Sequence, residues 1–177
     1  MIFHKAKIAG LYIIELEPKG DERGRFTRIF CKKELAEANL NFMIVQVNQS
    51  WNRHKGIIRG LHFQKEPKAE DKIVGCLEGA IYDVAVDLRE DSPSYGEWQA
   101  VELSRDNMKM FYIPKGCAHG FQALTDNCLV QYFMSEFYSP EHERGVRYDD
   151  PLLNIKWPLD NPILLAKDKS WPPFKKK

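Results

Sequence analysis

"DKIVGCLEGAIYDVAVDL", residues 71 to 88, decides the fold class. Two β-rich runs, 71–79 and 80–88, are parted by the turn signal EGA. In the second, Ala80, Tyr82, Val84, Val86 and Leu88 fall on one face, and Ile81, Asp83, Ala85 and Asp87 on the other. Strict alternation of this kind is the mark of a strand. The two carboxylates admit two readings: solvent wets them, or they face a polar cavity inside a small barrel.

Outward from that segment the pattern repeats. Residues 11–17, 41–49, 56–64, 97–104, 109–114, 121–125 and 128–138 are further β-rich runs, separated by turn signals such as "KGDERG", "EDSPSYG", "PKG" and "TDN". Only "KKELAEANL", residues 32–40, offers a helix face, through Leu35, Ala36 and Leu40. Many short strands at fairly even spacing predict an all-β sandwich or barrel rather than a βαβ alternation. The segment from "SPEHERG" onward, 139–177, is rich in proline and poor in strand signals, so it is expected to wrap the barrel as a loop and a short helix. Residues 1–177 read as one domain.

Composition narrows the function classes. With 177 residues, 44% of them hydrophobic, the chain can bury a full core. Its 26 basic and 25 acidic residues leave a net charge of +1, too little to recruit nucleic acid or an anionic membrane. Cys31, Cys76, Cys117 and Cys128 form no CxxC pair, and the first apolar run, "IAGLYIIEL", is interrupted by Glu15. No apolar stretch approaches the roughly 20 residues that cross a bilayer. These features predict a soluble cytoplasmic protein with free thiols, without a nucleic-acid or membrane partner.

Two segments carry chemistry. "GIIRGLHFQ", residues 56–64, sets His62 within a run that otherwise reads as a buried strand, beside two glycines and Arg59. "IPKGCAHGF", residues 113–121, holds the spacing P-x-G-x-x-H in Pro114, Gly116 and His119, and resembles the second signature of the cupin jelly-roll barrels. In metal-binding cupins that histidine is a ligand, together with an H-x-H pair and a glutamate from the first signature. Here the first signature supplies His62 and then Gln64, and His54 lies eight residues back, too far along a strand at about 3.3 Å per residue to join a shared ligand shell. No metal or other cofactor is expected. Cys117, two residues from His119, invites a Cys/His nucleophile reading, but free cysteine is more commonly a small buried hydrophobe.

Nine segments, "DERGRF" (21–26), "QVNQS" (46–50), "IRGLHFQ", "DKIV", "DVAVDLREDSPSYGEW", "IPKGCAHGF", "QYFMSEFY", "DDPLLNIKWP" and "LLAKDKSW", stand in the order and spacing of one family. In them the chain resembles the dTDP-4-dehydrorhamnose 3,5-epimerases, cofactor-free enzymes with a cupin jelly-roll β-barrel. The resemblance implies epimerisation at C3 and C5 beside a C4 ketone, which needs a base on one face of the sugar, an acid on the other and a group to stabilise the enolate. It implies His62 as the base, Asp168 as the carboxylate that orients it, Tyr132 as the acid and Lys72 at the C4 oxyanion. Arg23 and Arg59 match phosphate-contacting arginines, Gln46 and Asn48 match polar pocket positions, and Phe26 and Tyr138 fall among the substrate-binding positions, Tyr138 against the nucleotide base. His119 is expected to hydrogen-bond within the site. Tyr132 and Tyr138, six apart, would share a face of a straight strand about 20 Å from one another, a span that suits a sugar nucleotide. Arg25 and Arg28 follow no motif and read as surface.

Taken singly, each of these residues has a duller reading: a hydrogen-bonded strand histidine, a core tyrosine, a surface lysine, and in Asp168, flanked by Lys167 and Lys169, a solvated tail. Only the joint pattern raises them. The resemblance also implies a homodimer that exchanges N-terminal strands and places Arg23 in the partner's site. Val47, Glu70, Cys117 and Phe133 stand where many family members carry aspartate, glutamine, phenylalanine and lysine, and Glu70 and Phe133 flank expected catalytic positions. Three rivals follow: an epimerase acting at C3 only, a metal-dependent cupin oxygenase or isomerase, and a sugar-binding cupin without catalysis.

Overall fold

The structure, a computed structural model, describes residues 1–176; Lys177, the last position of the expected wrapping segment, lies outside the described residues. The chain opens with β1 (Ile2–Lys5), β2 (Tyr12–Glu15), a small hairpin of β3 (Lys19–Asp21) and β4 (Gly24–Phe26), and α1 (Lys32–Glu37). The central run is β5 (Gln46–Asn52), β6 (Ile58–Gln64), β7 (Lys72–Glu78), β8 (Ala80–Asp87), β9 (Trp98–Ser104), β10 (Lys109–Ile113), β11 (Cys117–Ala123) and β12 (Cys128–Met134). The C-terminal segment adds β13 (Glu143–Gly145) and α2 (Ala166–Lys169).

Two antiparallel sheets face each other. One has six strands in the order β1-β2-β10-β7-β12-β5, the other five in the order β13-β6-β11-β8-β9. The EGA turn after β7 passes the chain from the first sheet to the second rather than closing a hairpin, the interleaving of a jelly roll. The expected all-β class is what the strands build.

Alternation along the strands divides the apolar residues into three clusters. Ile81 and Ala85 of β8 meet Val74, Phe111, Phe121 and Val130 between the sheets. Val84 and Val86, on the opposite face, pack against Leu61 and against Leu153, Ile155 and Phe174 of the C-terminal segment. Leu35 of α1, Leu40 and Phe42 cover the outer face of the six-stranded sheet with Ile14, Met110 and Phe133. Truncating a fully buried ring such as Phe111 to alanine typically costs about 3–5 kcal/mol.

Several elements differ from the sequence reading. The helix stops at Glu37, three residues early, because Asn39 adopts a left-handed φ of 61° and the Leu40 N–H bonds back to the Leu35 carbonyl. The 41–49 run becomes regular only at Gln46, since Phe42 turns into the outer core instead of alternating. The 121–125 strand begins earlier, at Cys117. The 128–138 run ends at Met134, so Tyr132 and Tyr138 do not share one straight strand. Gln46 and Gln64 pin the bend that follows: Gln46 Oε1 accepts from the Tyr138 N–H at 3.2 Å, and Gln64 Nε2 donates to the Phe137 carbonyl at 3.2 Å. β13 had no sequence signal; its three residues are a strand because they add to the open edge of β6.

Asp83 and Asp87 are both fully buried, which overturns the wetted reading of that face. Asp87 ties down the turn after β8, accepting hydrogen bonds from Arg89, Ser92 Oγ (2.6 Å) and Ser94 Oγ (2.7 Å). Asp83 turns into the barrel, toward the site.

Candidate active site

His62 and His119 lie opposite one another on the antiparallel strands β6 and β11. The approach of those strands explains Gly60, the glycine nearer His62. A Cβ on Gly60, whose φ is +118°, would sit 2.6 Å from the Gly120 Cα and 2.7 Å from the His119 carbonyl oxygen. Glycine lets the strands close and shifts their register between His119 and Phe121. Across the barrel, β7 and β12 of the six-stranded sheet contribute Lys72 and Tyr132.

Between these walls lie two adjoining cavities. One, of about 460 Å³, is bordered by Arg59, His62, Lys72, His119, Tyr132 and Asp168 among others. The second, of about 360 Å³, is bordered by Gln46, Asn48, His62, Lys72, Tyr132 and Tyr138, with Glu143 at its side. His62, Lys72 and Tyr132 border both. The histidine and the tyrosine belong to opposite sheets, so they enter the shared space from opposite sides.

The His62 ring donates through Nε2 to Asp168 Oδ1 at 2.6 Å and meets the Trp171 indole edge-on, with centroids 5.8 Å apart. Burial pushes the Asp168 carboxyl up, but the His62 hydrogen bond and charge, helped by the Gly60 backbone N–H, outweigh it and hold the carboxyl below the usual aspartate value. Asp168 therefore stays ionised and fixes the ring's orientation. Its position in α2, against β6, replaces the solvated-tail reading. Gly145 makes room for this arrangement: a Cβ there would lie 2.5 Å from Trp171 Cδ2.

His119 Nε2 lies 2.7 Å from Asp83 Oδ1. Burial dominates at Asp83 and raises its carboxyl, against the pull of His119 and Lys72. Gln64, at the place of a second cupin histidine, serves the backbone: it donates to the Lys68 and Phe137 carbonyls and accepts from the Ser139 N–H. Among the described residues no cluster of three or more His, Cys, Asp or Glu side chains could hold a metal ion. Cys117 is buried and its thiol is pushed up to about 12, chiefly by burial, which removes the thiolate a nucleophile needs.

Lys72 is no surface charge. It is buried in an ion pair with Glu70 (3.0 Å) and donates to the His62 carbonyl at 3.2 Å, so it braces the backbone of the histidine it faces. Burial raises the Tyr132 phenol, with Arg59 pulling the other way; the hydroxyl stays protonated at neutral pH. Phe133, expected to flank a catalytic position, points away, stacked on Phe30 outside the barrel.

In the second cavity, Gln46 Nε2 donates to Asn48 Oδ1 at 3.0 Å, and the exposed Tyr138 hydroxyl donates to Glu143 Oε2 at 2.8 Å. Lys167 bonds the same oxygen at 2.6 Å. Burial pushes Glu143 up, but Lys167 and Tyr138 reverse that and leave its carboxyl below the ordinary range. Glu143, Lys167 and Trp171 escaped sequence reading. Lys167 and Trp171 lay inside the "LLAKDKSW" segment already singled out; Glu143 had no local signal, because only strand addition brings it to the site.

Arg23 and Phe26 do not border either cavity. They sit on the β3–β4 hairpin, with side chains exposed and the Arg23 guanidinium paired to Asp21 at 2.6 Å. Arg28 is also exposed, bonded to Glu34 at 3.1 Å, and Arg25 lies along the surface near Arg105, as read from the sequence.

The comparisons with known proteins converge on one family. The model of the dTDP-4-dehydrorhamnose 3,5-epimerases matches residues 5–176. A dTDP-4-dehydrorhamnose 3,5-epimerase from Methanothermobacter thermautotrophicus is 46% identical over 98% of this chain and 94% of its own length. The crystal structure of the Bacillus anthracis dTDP-4-dehydrorhamnose 3,5-epimerase with TDP and pyrophosphate bound superposes with a TM-score of 0.96 at 42% identity, covering 98% of this chain and 99% of that one. A 3'-monoepimerase from Streptomyces bikiniensis in complex with dTDP-quinovose has a TM-score of 0.91 at 33% identity, covering 96% of this chain and 86% of that one. A match across almost the entire sequence and a shared fold leave one assignment: the chain belongs to the dTDP-4-dehydrorhamnose 3,5-epimerase family.

Proposed function

We propose that the protein epimerises dTDP-4-dehydro-6-deoxy-D-glucose at C3 and C5, giving dTDP-4-dehydro-L-rhamnose without a cofactor. The reading rests on one observation above others: His62 and Tyr132 stand on opposite sheets and border the same space. His62 removes the proton from the carbon beside the ketone, and the bonding pair moves into an enolate whose charge gathers on the C4 oxygen. Lys72 donates a hydrogen bond to that oxygen. Tyr132 returns a proton from the other face; solvent then takes the proton from His62 and restores one to the Tyr132 phenolate, and the cycle repeats at the second carbon. Asp168 keeps the imidazole oriented throughout.

Arg59 takes the pyrophosphate, with Gln46, Asn48 and His119 as polar contacts and Tyr138 against the base. Arg23 and Phe26, exposed on their hairpin, serve the site of a second copy, which makes the working unit a homodimer. Free thiols suit a cytoplasmic enzyme, whose product would lead to dTDP-L-rhamnose and cell-surface polysaccharide.

Incubation with the 4-keto sugar in deuterated water tests the reaction. Two deuterons per product, at C3 and C5, are expected. One deuteron would establish the second reading, epimerisation at C3 alone, which the likeness to a 3'-monoepimerase keeps in view. Binding without any exchange would leave a sugar-binding protein.

A further inference from the structure

Five basic side chains border the two cavities: Arg59, His62, Lys72, His119 and Lys167. Four have a carboxylate partner of their own. His62 has Asp168, Lys72 has Glu70, His119 has Asp83 and Lys167 has Glu143, at separations of 2.6 to 3.0 Å. Arg59 is the exception among the described residues. Its hydrogen bond runs from Nε to Asn52 Oδ1 at 2.7 Å, and Asn52 is neutral.

Asn52 is itself locked. It is the last residue of β5 and fully buried, and its amide nitrogen donates to the Ser50 carbonyl at 2.9 Å and the Cys128 carbonyl at 3.4 Å. Turning the amide over would set its oxygen against two carbonyl oxygens, so the oxygen must face Arg59. The bond engages Nε, Arg59 borders the cavity, and among the described residues its two terminal nitrogens make no hydrogen bond or ion pair. A carboxylate at this point would hold the arginine as firmly but cancel its charge; an amide orients it and leaves the charge available.

We infer that Asn52 is a positioning residue for anion binding, aiming the one cavity cation without a carboxylate partner at the diphosphate of the ligand. The inference rests on the proposed sugar-nucleotide site. It concerns a residue outside the nine recognised segments, and it divides the labour of the cations: Lys72, neutralised by Glu70, acts as a local hydrogen-bond donor, and Arg59 supplies the field that a diphosphate meets.

Calorimetric titration with dTDP of the wild type, Asn52→Ser, Arg59→Ala and the double variant tests this. Serine can still donate to a neighbouring carbonyl but is too short to reach Arg59 Nε; Asn52→Ala serves if Asn52→Ser does not fold, and thermal melting checks each variant. Asn52→Ser is expected to weaken dTDP about tenfold, and the double variant to bind no more weakly than Arg59→Ala alone. In turnover the loss should fall on KM, with kcat held. Wild-type affinity in Asn52→Ser, or a double variant in which the two losses add, would overturn the positioning role. Failure of the wild type to bind dTDP would instead overturn the site reading on which it rests.

Discussion

His62 and Asp168 are 106 residues apart in sequence and 2.6 Å apart in space, joined by a hydrogen bond from Nε2 to Oδ1 at the wall of the cavity. The aspartate is nearly buried and the imidazole partly exposed to the cavity. A carboxylate so placed chooses which ring nitrogen faces the substrate.

His62→Ala should therefore abolish solvent deuterium exchange into the 4-keto sugar, by about 10²–10⁴-fold, with the circular dichroism spectrum unchanged. Asp168→Asn, which keeps the shape but not the charge, should fall between that variant and the wild type. Substantial exchange by His62→Ala would remove the histidine from its role as base.

Tyr132→Phe separates the two proton transfers. Exchange at the first carbon should outlast the formation of epimerised product, because removal of the proton on the His62 side survives and its return from the opposite face does not. Proton NMR in deuterated water follows both at once. Parallel loss of exchange and product would show that the phenol takes no separate part in reprotonation.

The exposed Arg23 invites a complementation experiment. If each copy lends Arg23 to the other, a mixed dimer of Arg23→Ala and His62→Ala subunits contains one intact site. Remixing equal amounts of the two inactive variants should restore about a quarter of wild-type activity, since half the dimers are mixed and each has one working site. No recovery in a sample shown to contain mixed dimers would place Arg23 outside the partner's site.

Asp87 makes the acid limb of stability predictable. Burial pushes its carboxyl up, yet Arg89, Ser92 and Ser94 hold it down to about 2, below the unfolded value of 3.8. A carboxyl lowered by folding adds stability that is complete above the unfolded value and is lost as pH falls toward the folded one. The gain is about 2 kcal/mol at neutral pH. Asp87→Asn should unfold earlier in urea at pH 7, by an amount that shrinks between pH 4 and pH 2. A difference that did not change with pH would assign the effect to packing.

Cys117 should resist alkylation in the native protein at pH 8, since burial pushes its thiol up to about 12. Mass spectrometry after brief iodoacetamide treatment reads this directly. Rapid native-state labelling at Cys117 would reopen the nucleophile reading.

The strand alternation at 80–88 was legible because a period of two depends on neighbours in sequence. So was the segment around His119, whose glycine and proline mark a turn before a strand. The boundaries of β5 and β12 were less legible, because Phe42 and the Ser135–Tyr138 bend answer to packing and to hydrogen bonds from Gln46 and Gln64. Glu143 was hidden for the same reason: a three-residue strand has no periodicity and exists only beside β6.

Local order along the chain thus determined the all-β class, the positions of His62 and His119, and, through nine segments in register, the family. The tertiary structure alone decided that the β8 carboxylates are buried, that Lys72 is matched by Glu70, that a C-terminal aspartate holds His62, and that Arg59 answers to a neutral amide. The reason is physical. Periodicity and turn chemistry are short-range, whereas desolvation and charge pairing depend on which distant groups the fold brings within about 3 Å.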